Sequence, residues 1–225
     1  MQSWWLADLW QHNPVVAISW IFWVVFSICC HELGHGYAAI RKGDDTPIVT
    51  GHMTWNPMVH MGGFSLIMLL VAGIAWGAMP VNPNQLRGRH ADAYVAAAGP
   101  AVNLFFFVLC AILAIIWSLV PQFLGDEPTE NIHKFLFTGC ALNIVLMLFN
   151  LLPVPPLDGS RIIASFFRPY EEFVYSEKGA VVSLIAFVLV FSVVGRYVAA
   201  FGFMVASIVV GGGIRVLSPL FGGTP

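Results

Sequence analysis

Charge is scarce in this sequence of 225 residues, which holds 10 lysines and arginines and 12 aspartates and glutamates, together 10% of the chain. A water-soluble domain carries about 25% charged residues, so too few ionisable groups are present to cover a surface facing water. Cysteine is scarce as well. Cys29, Cys30, Cys110 and Cys140 all lie inside apolar runs, which excludes a secreted disulfide framework and reads as four small buried hydrophobes. The formal net charge of −2 lacks the basic footprint of a nucleic-acid binder. Long polar connections are missing too: the longest, 39–61, 80–92, 120–133 and 158–177, are too short to fold alone. There is no internal repeat and no flexible linker, so residues 1–225 read as one integral membrane domain.

What is abundant is apolar sequence, 58% of the chain. Stretches free of Asp, Glu, Lys and Arg cover 9–31, 46–86, 93–125, 135–157, 179–195 and 197–214. A crossing helix needs about 20 residues, and these runs predict helices near 14–38, 62–79, 91–119, 134–152, 178–195 and 197–215. The fold class expected is all-α: a polytopic bundle of five to six transmembrane helices in the cell membrane. Asn13-Pro14 suits the start of the first helix. The residues before it carry no basic n-region, so this segment reads as a membrane helix rather than a signal peptide. Trp4, Trp5 and Trp10 flank it in the manner of interface anchors.

The most specific pattern is His31-Glu32-Leu33-Gly34-His35. On a helix, residues i and i+4 leave the same face one turn apart, so the two imidazoles can ligate one ion. Glu32, adjacent to the first of them, is positioned as a general base toward water. An ionisable group directly after an apolar run is costly at membrane depth unless it is paired, metallated or wet. Two histidines leave a catalytic zinc one protein ligand short. The best candidate for the third is Asp158, which closes Asn150-Leu151-Leu152-Pro153-Val154-Pro155-Pro156-Leu157-Asp158-Gly159. Prolines remove backbone donors and push their predecessors away from helical geometry, so the helix opens there and can aim a carboxylate. Broken backbone at membrane depth demands cover by protein or a wet cavity, which marks a site.

HELGH at 31–35 together with FNLLPVPPLDG at 149–159 resembles the site-2 protease family of intramembrane zinc metalloproteases (peptidase family M50). AGPAVN at 98–103 and GHMTWNPMVH at 51–60 are similar to two further segments of that family, and all four occur in the expected order. The resemblance implies one zinc ion held by His31, His35 and Asp158, with Glu32 as catalytic base and a membrane protein or peptide as substrate. The catalytic core then spans about 14–160, with helices 178–215 following, and no PDZ or CBS module is visible. Two departures stand out: Met61-Gly62-Gly63 where the family commonly shows Asp-Pro, and consecutive Pro155-Pro156 in the closing motif.

Convergence of the ligands restricts the topology. If every apolar run before Asp158 crossed, that residue would emerge on the membrane face opposite His31 and His35. Either 62–79, with Gly62, Gly63, Gly73 and Gly77, forms a hairpin or re-entrant segment, or the proline-broken chain folds back from the far side to mid-membrane. The first is favoured slightly, because it leaves the HELGH helix parallel to the helix preceding Asp158. The segment holding His52, Thr54, Asn56, Pro57 and His60 reads as a short strand and turn inserted after the HELGH helix, offering an edge to an unfolded substrate. Asn150, Asn56 and His60 are thus the candidate substrate-binding residues, Asn150 also as a donor to a developing oxyanion. Asn103 and Asn143 read as hydrogen-bonding groups between helices. Two rival functions are a membrane protease using Glu171, Glu172 or Glu177 as third ligand, and a transporter or metal-binding scaffold without turnover.

Overall fold

The computed structural model describes residues 4–119 and 125–221. A short helix α1 (Trp5–His12) leads into α2 (Pro14–Arg41), whose start is set by Pro14 in the first turn and by the Asn13 side chain accepting from Val16 N. After α2 come a single turn α3 (Thr46–Val49), α4 (Pro57–Ala72), α5 (Ala91–Leu119) and α6 (Asp126–Asn150). Two short helices follow, α7 (Asp158–Ala164) and α8 (Arg168–Val174), and then α9 (Glu177–Leu189) and α10 (Gly195–Leu217). Among the described residues, four helical stretches are long and apolar enough to cross a membrane: Pro14–Arg41, Ala91–Leu119, Asp126–Asn150 and Glu177–Phe221. The protein is an all-α, multi-pass integral membrane bundle.

The expected inserted strand does not exist. No strand occurs among the described residues, and the segment after α2 forms α3 and then turns. Its polar side chains satisfy its own backbone: Asp44 Oδ1 accepts from Thr46 N, Thr54 Oγ1 from Asn56 N and Asn56 Oδ1 from Met58 N. Such local bonds compete with ladder formation, and no neighbouring strand is there to pair.

The C-terminal pair of helices is also revised. The runs at 178–195 and 197–215 join through a π-helical turn (Val190–Val194) into one apolar helix of 45 residues, Glu177–Phe221. A single arginine between two apolar runs is no helix breaker. Arg196 folds over the neighbouring Tyr197 ring, 4.7 Å from its centroid. Among the described residues the count of long apolar helices is therefore four rather than five to six.

The run at 62–79 does not cross. Helix α4 is 16 residues long, breaks at Gly62 (φ 68°) and ends at Gly73 in a left-handed conformation (φ 71°). Extended chain then returns alongside it, held by Ser65 Oγ, which donates to Trp76 O at 2.8 Å and accepts from Trp76 N at 2.9 Å. Ala78 N donates to His60 O. The fully buried Asp44 closes the base of this excursion, its Oδ2 accepting from Asn82 N at 2.8 Å. Trp4 caps its tip, Nε1 donating to Val71 O.

With that hairpin re-entrant, α2 and α6 run in the same direction. Trp23 Nε1 in the first half of α2 donates to Phe135 O in the first half of α6, whereas His35 near the end of α2 meets Val95 near the start of α5. Lipid is as apolar as leucine, so close packing and interhelical hydrogen bonds carry the association of α2, α5 and α6. Small residues permit it: a Cβ on Gly139 would collide with the Trp23 ring, and one on Gly202 would stand 2.5 Å from Val145 Cγ2. All four cysteines are free and buried in this core.

Candidate metal centre

Helix α2 carries His31, Glu32 and His35 on buried faces near its end. Helix α6 stops at Asn150, and the proline segment that follows delivers Asp158 as the first residue of α7. Two bonds fix that delivery. Tyr170 Oη donates to Pro153 O at 2.9 Å, and Arg161 Nη2 donates to Asp92 Oδ1 on α5 at 2.6 Å.

The three side chains converge. His31 Nε2 lies 3.0 Å from His35 Nε2 and 3.1 Å from Asp158 Oδ2, and His35 Nε2 lies 3.3 Å from Asp158 Oδ1. All three residues are buried. The protons of this cluster can be placed from its outer contacts. His31 Nδ1 stands 2.6 Å from Asn103 Oδ1 and His35 Nδ1 stands 2.7 Å from Val95 O. Both partners are oxygens that only accept, so each Nδ1 carries the proton and donates it, leaving a lone pair on each Nε2. Two imine nitrogens and a carboxylate therefore face one another with no proton between them, and Asp158 Oδ2 has no hydrogen-bond donor. Repulsion of that kind in a buried site calls for a cation.

The spacing fits a small one. Tetrahedral ligands at about 2.1 Å from a shared ion stand about 3.4 Å apart, close to the separations observed. Outer carbonyls that orient ligating imidazoles are the usual support of such a centre. The buried His/His/Asp cluster is thus capable of coordinating a metal ion. Gly99 of α5 makes the room: a Cβ there would stand 2.5 Å from both Nε2 atoms.

A cavity of about 600 Å³ opens beside the cluster. His31, Glu32, Asn103 and Asn150 supply polar groups, and the rest of the wall is apolar, Trp76, Leu146, Phe149, Phe187 and Phe191 among it. Glu32 lies against the returning hairpin, where a Cβ on Gly77 would stand 2.7 Å from its Oε1. Asn150 donates from Nδ2 to Leu146 O within its own helix and faces this cavity.

Other candidates lie elsewhere. Asn56 is exposed and caps α4 through Met58 N. His60 is buried at 3% exposure with Nε2 bonded to Thr54 O, and neither residue lines the cavity. Glu171, Glu172 and Glu177 are exposed and outside the cluster, Glu172 being paired with Arg168 at 3.0 Å. Sequence reasoning missed the Val95 carbonyl, since a backbone acceptor leaves no mark in a sequence, and the contact of Gly77 with Glu32. Ala97-Ala98-Gly99 before Pro100 reads in the sequence as a place of close helix approach, and Gly99 does lie against the two imidazoles.

A bundle of membrane-spanning helices with a buried His-Glu-x-x-His and aspartate centre defines a membrane metallopeptidase. The chain belongs to peptidase family M50, whose model matches residues 19–123 and 116–193. It is 39% identical to YwhC of Bacillus subtilis over 153 residues, 65% of this chain and 68% of that protein. It is 32% identical to Rip2 of Mycobacterium tuberculosis over 65% of this chain and 56% of that protein. To the zinc metalloprotease MJ0392 of Methanocaldococcus jannaschii it is 27% identical, over 70% of this chain and 39% of the relative. The matched part thus spans about two thirds of the first of these relatives and little more than half of the second. No solved structure matches the chain. Family and buried centre together make it an enzyme of the intramembrane metalloendopeptidase type.

Proposed function

We propose that this protein hydrolyses peptide bonds of membrane proteins, in or near their transmembrane segments, with one zinc ion held by His31, His35 and Asp158. The whole chain 1–225 would act as one catalytic domain, its core at about 14–160. The observation that carries this reading is the convergence of three lone-pair-bearing groups at 3.0–3.3 Å with both Nδ1 protons turned outward. Two imidazoles and a carboxylate suit zinc better than magnesium or calcium, which prefer all-oxygen sites.

A bound zinc ion would supply Lewis acidity, polarising a carbonyl and lowering the pKa of water. Glu32 takes a proton from the attacking water on its carboxylate and returns it to the leaving amine, so one residue acts as base and then as acid. The cavity's aromatic wall accepts an apolar stretch of substrate. Its polar end, through Asn150, engages main-chain groups that an intact substrate helix would keep bonded to itself. Substrate must therefore unwind locally before its amide reaches Glu32. Asn56 and His60, remote from this cavity, would meet substrate only outside it.

The test is hydrolysis of a reporter transmembrane peptide by the purified full chain in detergent or vesicles. Cleavage that depends on zinc and on Glu32 supports the reading. A chain that binds zinc yet cleaves no membrane peptide would instead favour a metal-binding scaffold.

A further inference from the structure

Behind the metal cluster runs a line of amides that the proposed chemistry does not use. Asn103 on α5 and Asn143 on α6 are both fully buried at 0% exposure. Asn143 Nδ2 donates to Gly139 O at 2.9 Å, Asn103 Nδ2 donates to Asn143 Oδ1 at 3.1 Å, and Asn103 Oδ1 accepts from His31 Nδ1 at 2.6 Å. An amide in isolation can present either end to an imidazole. Here the direction is fixed from the far end, because a backbone carbonyl only accepts. Gly139 O therefore forces Asn143 to turn its nitrogen inward, Asn143 then offers its oxygen to Asn103, and Asn103 has only its oxygen left for His31. Gly139 is itself held by the Trp23 ring packed on its Cα.

The geometry points to a tautomer relay: Gly139, Asn143 and Asn103 are positioning residues that keep the proton of His31 on Nδ1 and its lone pair on Nε2. This goes beyond ordinary interhelical bonding, since its product is a property of the ligand rather than of the bundle. It rests on His31 being a zinc ligand. A His31 holding its proton on Nε2 has no lone pair to offer there. Loss of an outer partner of a ligating histidine typically lowers metal affinity about 10–100-fold. The relay predicts that loss at a residue one step further out, with no contact to the ligand.

The distinguishing variant is Asn143→Leu. It leaves Asn103 in place but free to rotate its amide nitrogen toward His31. Two readouts are taken on the full chain in detergent. One is the His31 tautomer in the metal-free protein, from the ¹⁵N shifts of labelled imidazoles. The other is zinc affinity by chelator competition. Wild type should show the Nδ1–H form. Asn143→Leu should shift toward Nε2–H and bind zinc about 10-fold or more weakly. Adding Asn103→Asp to that variant should restore both, because a carboxylate has no donor end to present. Unchanged tautomer and affinity in Asn143→Leu, or a double variant no better than the single one, would overturn the relay. If Asn143→Leu does not fold, Asn143→Ala and Asn143→Asp decide. A carboxylate at position 143 still accepts from Asn103 Nδ2 and an alanine does not, so the relay requires the tautomer shift and the affinity loss in alanine alone, and an equal effect in the two overturns it. A wild type with the Nδ1–H form that binds no zinc sinks the zinc reading and leaves the relay standing.

Discussion

Asp158 Oδ2 stands 3.1 Å from His31 Nε2, although the chain passes through the re-entrant hairpin and two full-length helices between them. Only a fold that returns the proline segment to the end of α2 permits this. If that carboxylate is the third ligand, Asp158→Ala leaves two imidazoles. Zinc affinity should then fall by more than the ~10–100-fold typical of losing an outer partner, and cleavage should be lost with it. Metal per chain, measured by elemental analysis at fixed free zinc, checks this. Retained zinc in Asp158→Ala, with loss on substituting Glu171, Glu172 or Glu177, would transfer the ligand role to a glutamate.

Glu32 separates from the ligands in a second experiment. It lines the cavity and is absent from the converging cluster, so Glu32→Gln should keep zinc at one ion per chain. Proton transfer by a positioned side chain contributes about 10²–10⁴-fold, and the cleavage rate should fall by at least that factor. A Glu32→Gln protein cleaving at the wild-type rate would remove Glu32 from the chemistry.

Much of this frame was legible in the residues. The helix expected at 91–119 matches α5, and the one expected at 14–38 runs on to Arg41. Helix α6 starts earlier than expected, at Asp126 rather than 134. Two acids in its first turn complement the positive end of the helix dipole, and Lys134 pairs with Glu130 at 2.7 Å. Requiring His31, His35 and Asp158 to meet left two routes, a hairpin at 62–79 or a fold-back of the proline segment, and α4 with its returning arm follows the first. The strand after α2 was misread because Thr and His near turn residues look extended, while the bonds that decide the matter are made locally by Asp44, Thr54 and Asn56. Joining of the two C-terminal runs was hidden by Arg196, whose charge interrupts an apolar run without breaking a helix. The line from His31 to Gly139 spans three helices, and only a packed bundle reveals it.

The returning arm of the hairpin gives a third prediction. A methyl on Gly77 would stand 2.7 Å from Glu32 Oε1 and 2.7 Å from Ile28 Cγ2, so Gly77→Ala must displace the carboxylate or the arm. Neither belongs to the cluster of His31, His35 and Asp158. Catalytic turnover should drop about 10–100-fold, the scale on which a displacement of about 1 Å acts, while zinc affinity stays within twofold of wild type. Zinc affinity and turnover falling together would mean that the arm supports the centre itself.

Gly99 sets the opposite pattern. Its missing side chain is what lets α5 lie against the two imidazoles, since a Cβ would stand 2.5 Å from Nε2 of both His31 and His35. Those are the atoms whose lone pairs face the proposed ion. Gly99→Ala should therefore abolish zinc binding and cleavage together, with helix content by circular dichroism unchanged. The matched control is Gly211→Ala on α10, where the added methyl meets open space. Alanine is favoured over glycine in a helix interior by roughly 0.5–1 kcal/mol, so that variant should be as stable as wild type or slightly more so, and fully active. Wild-type zinc binding in Gly99→Ala would show that α5 does not lie against the imidazoles, and the arrangement of α2, α5 and α7 around the cluster would have to be redrawn.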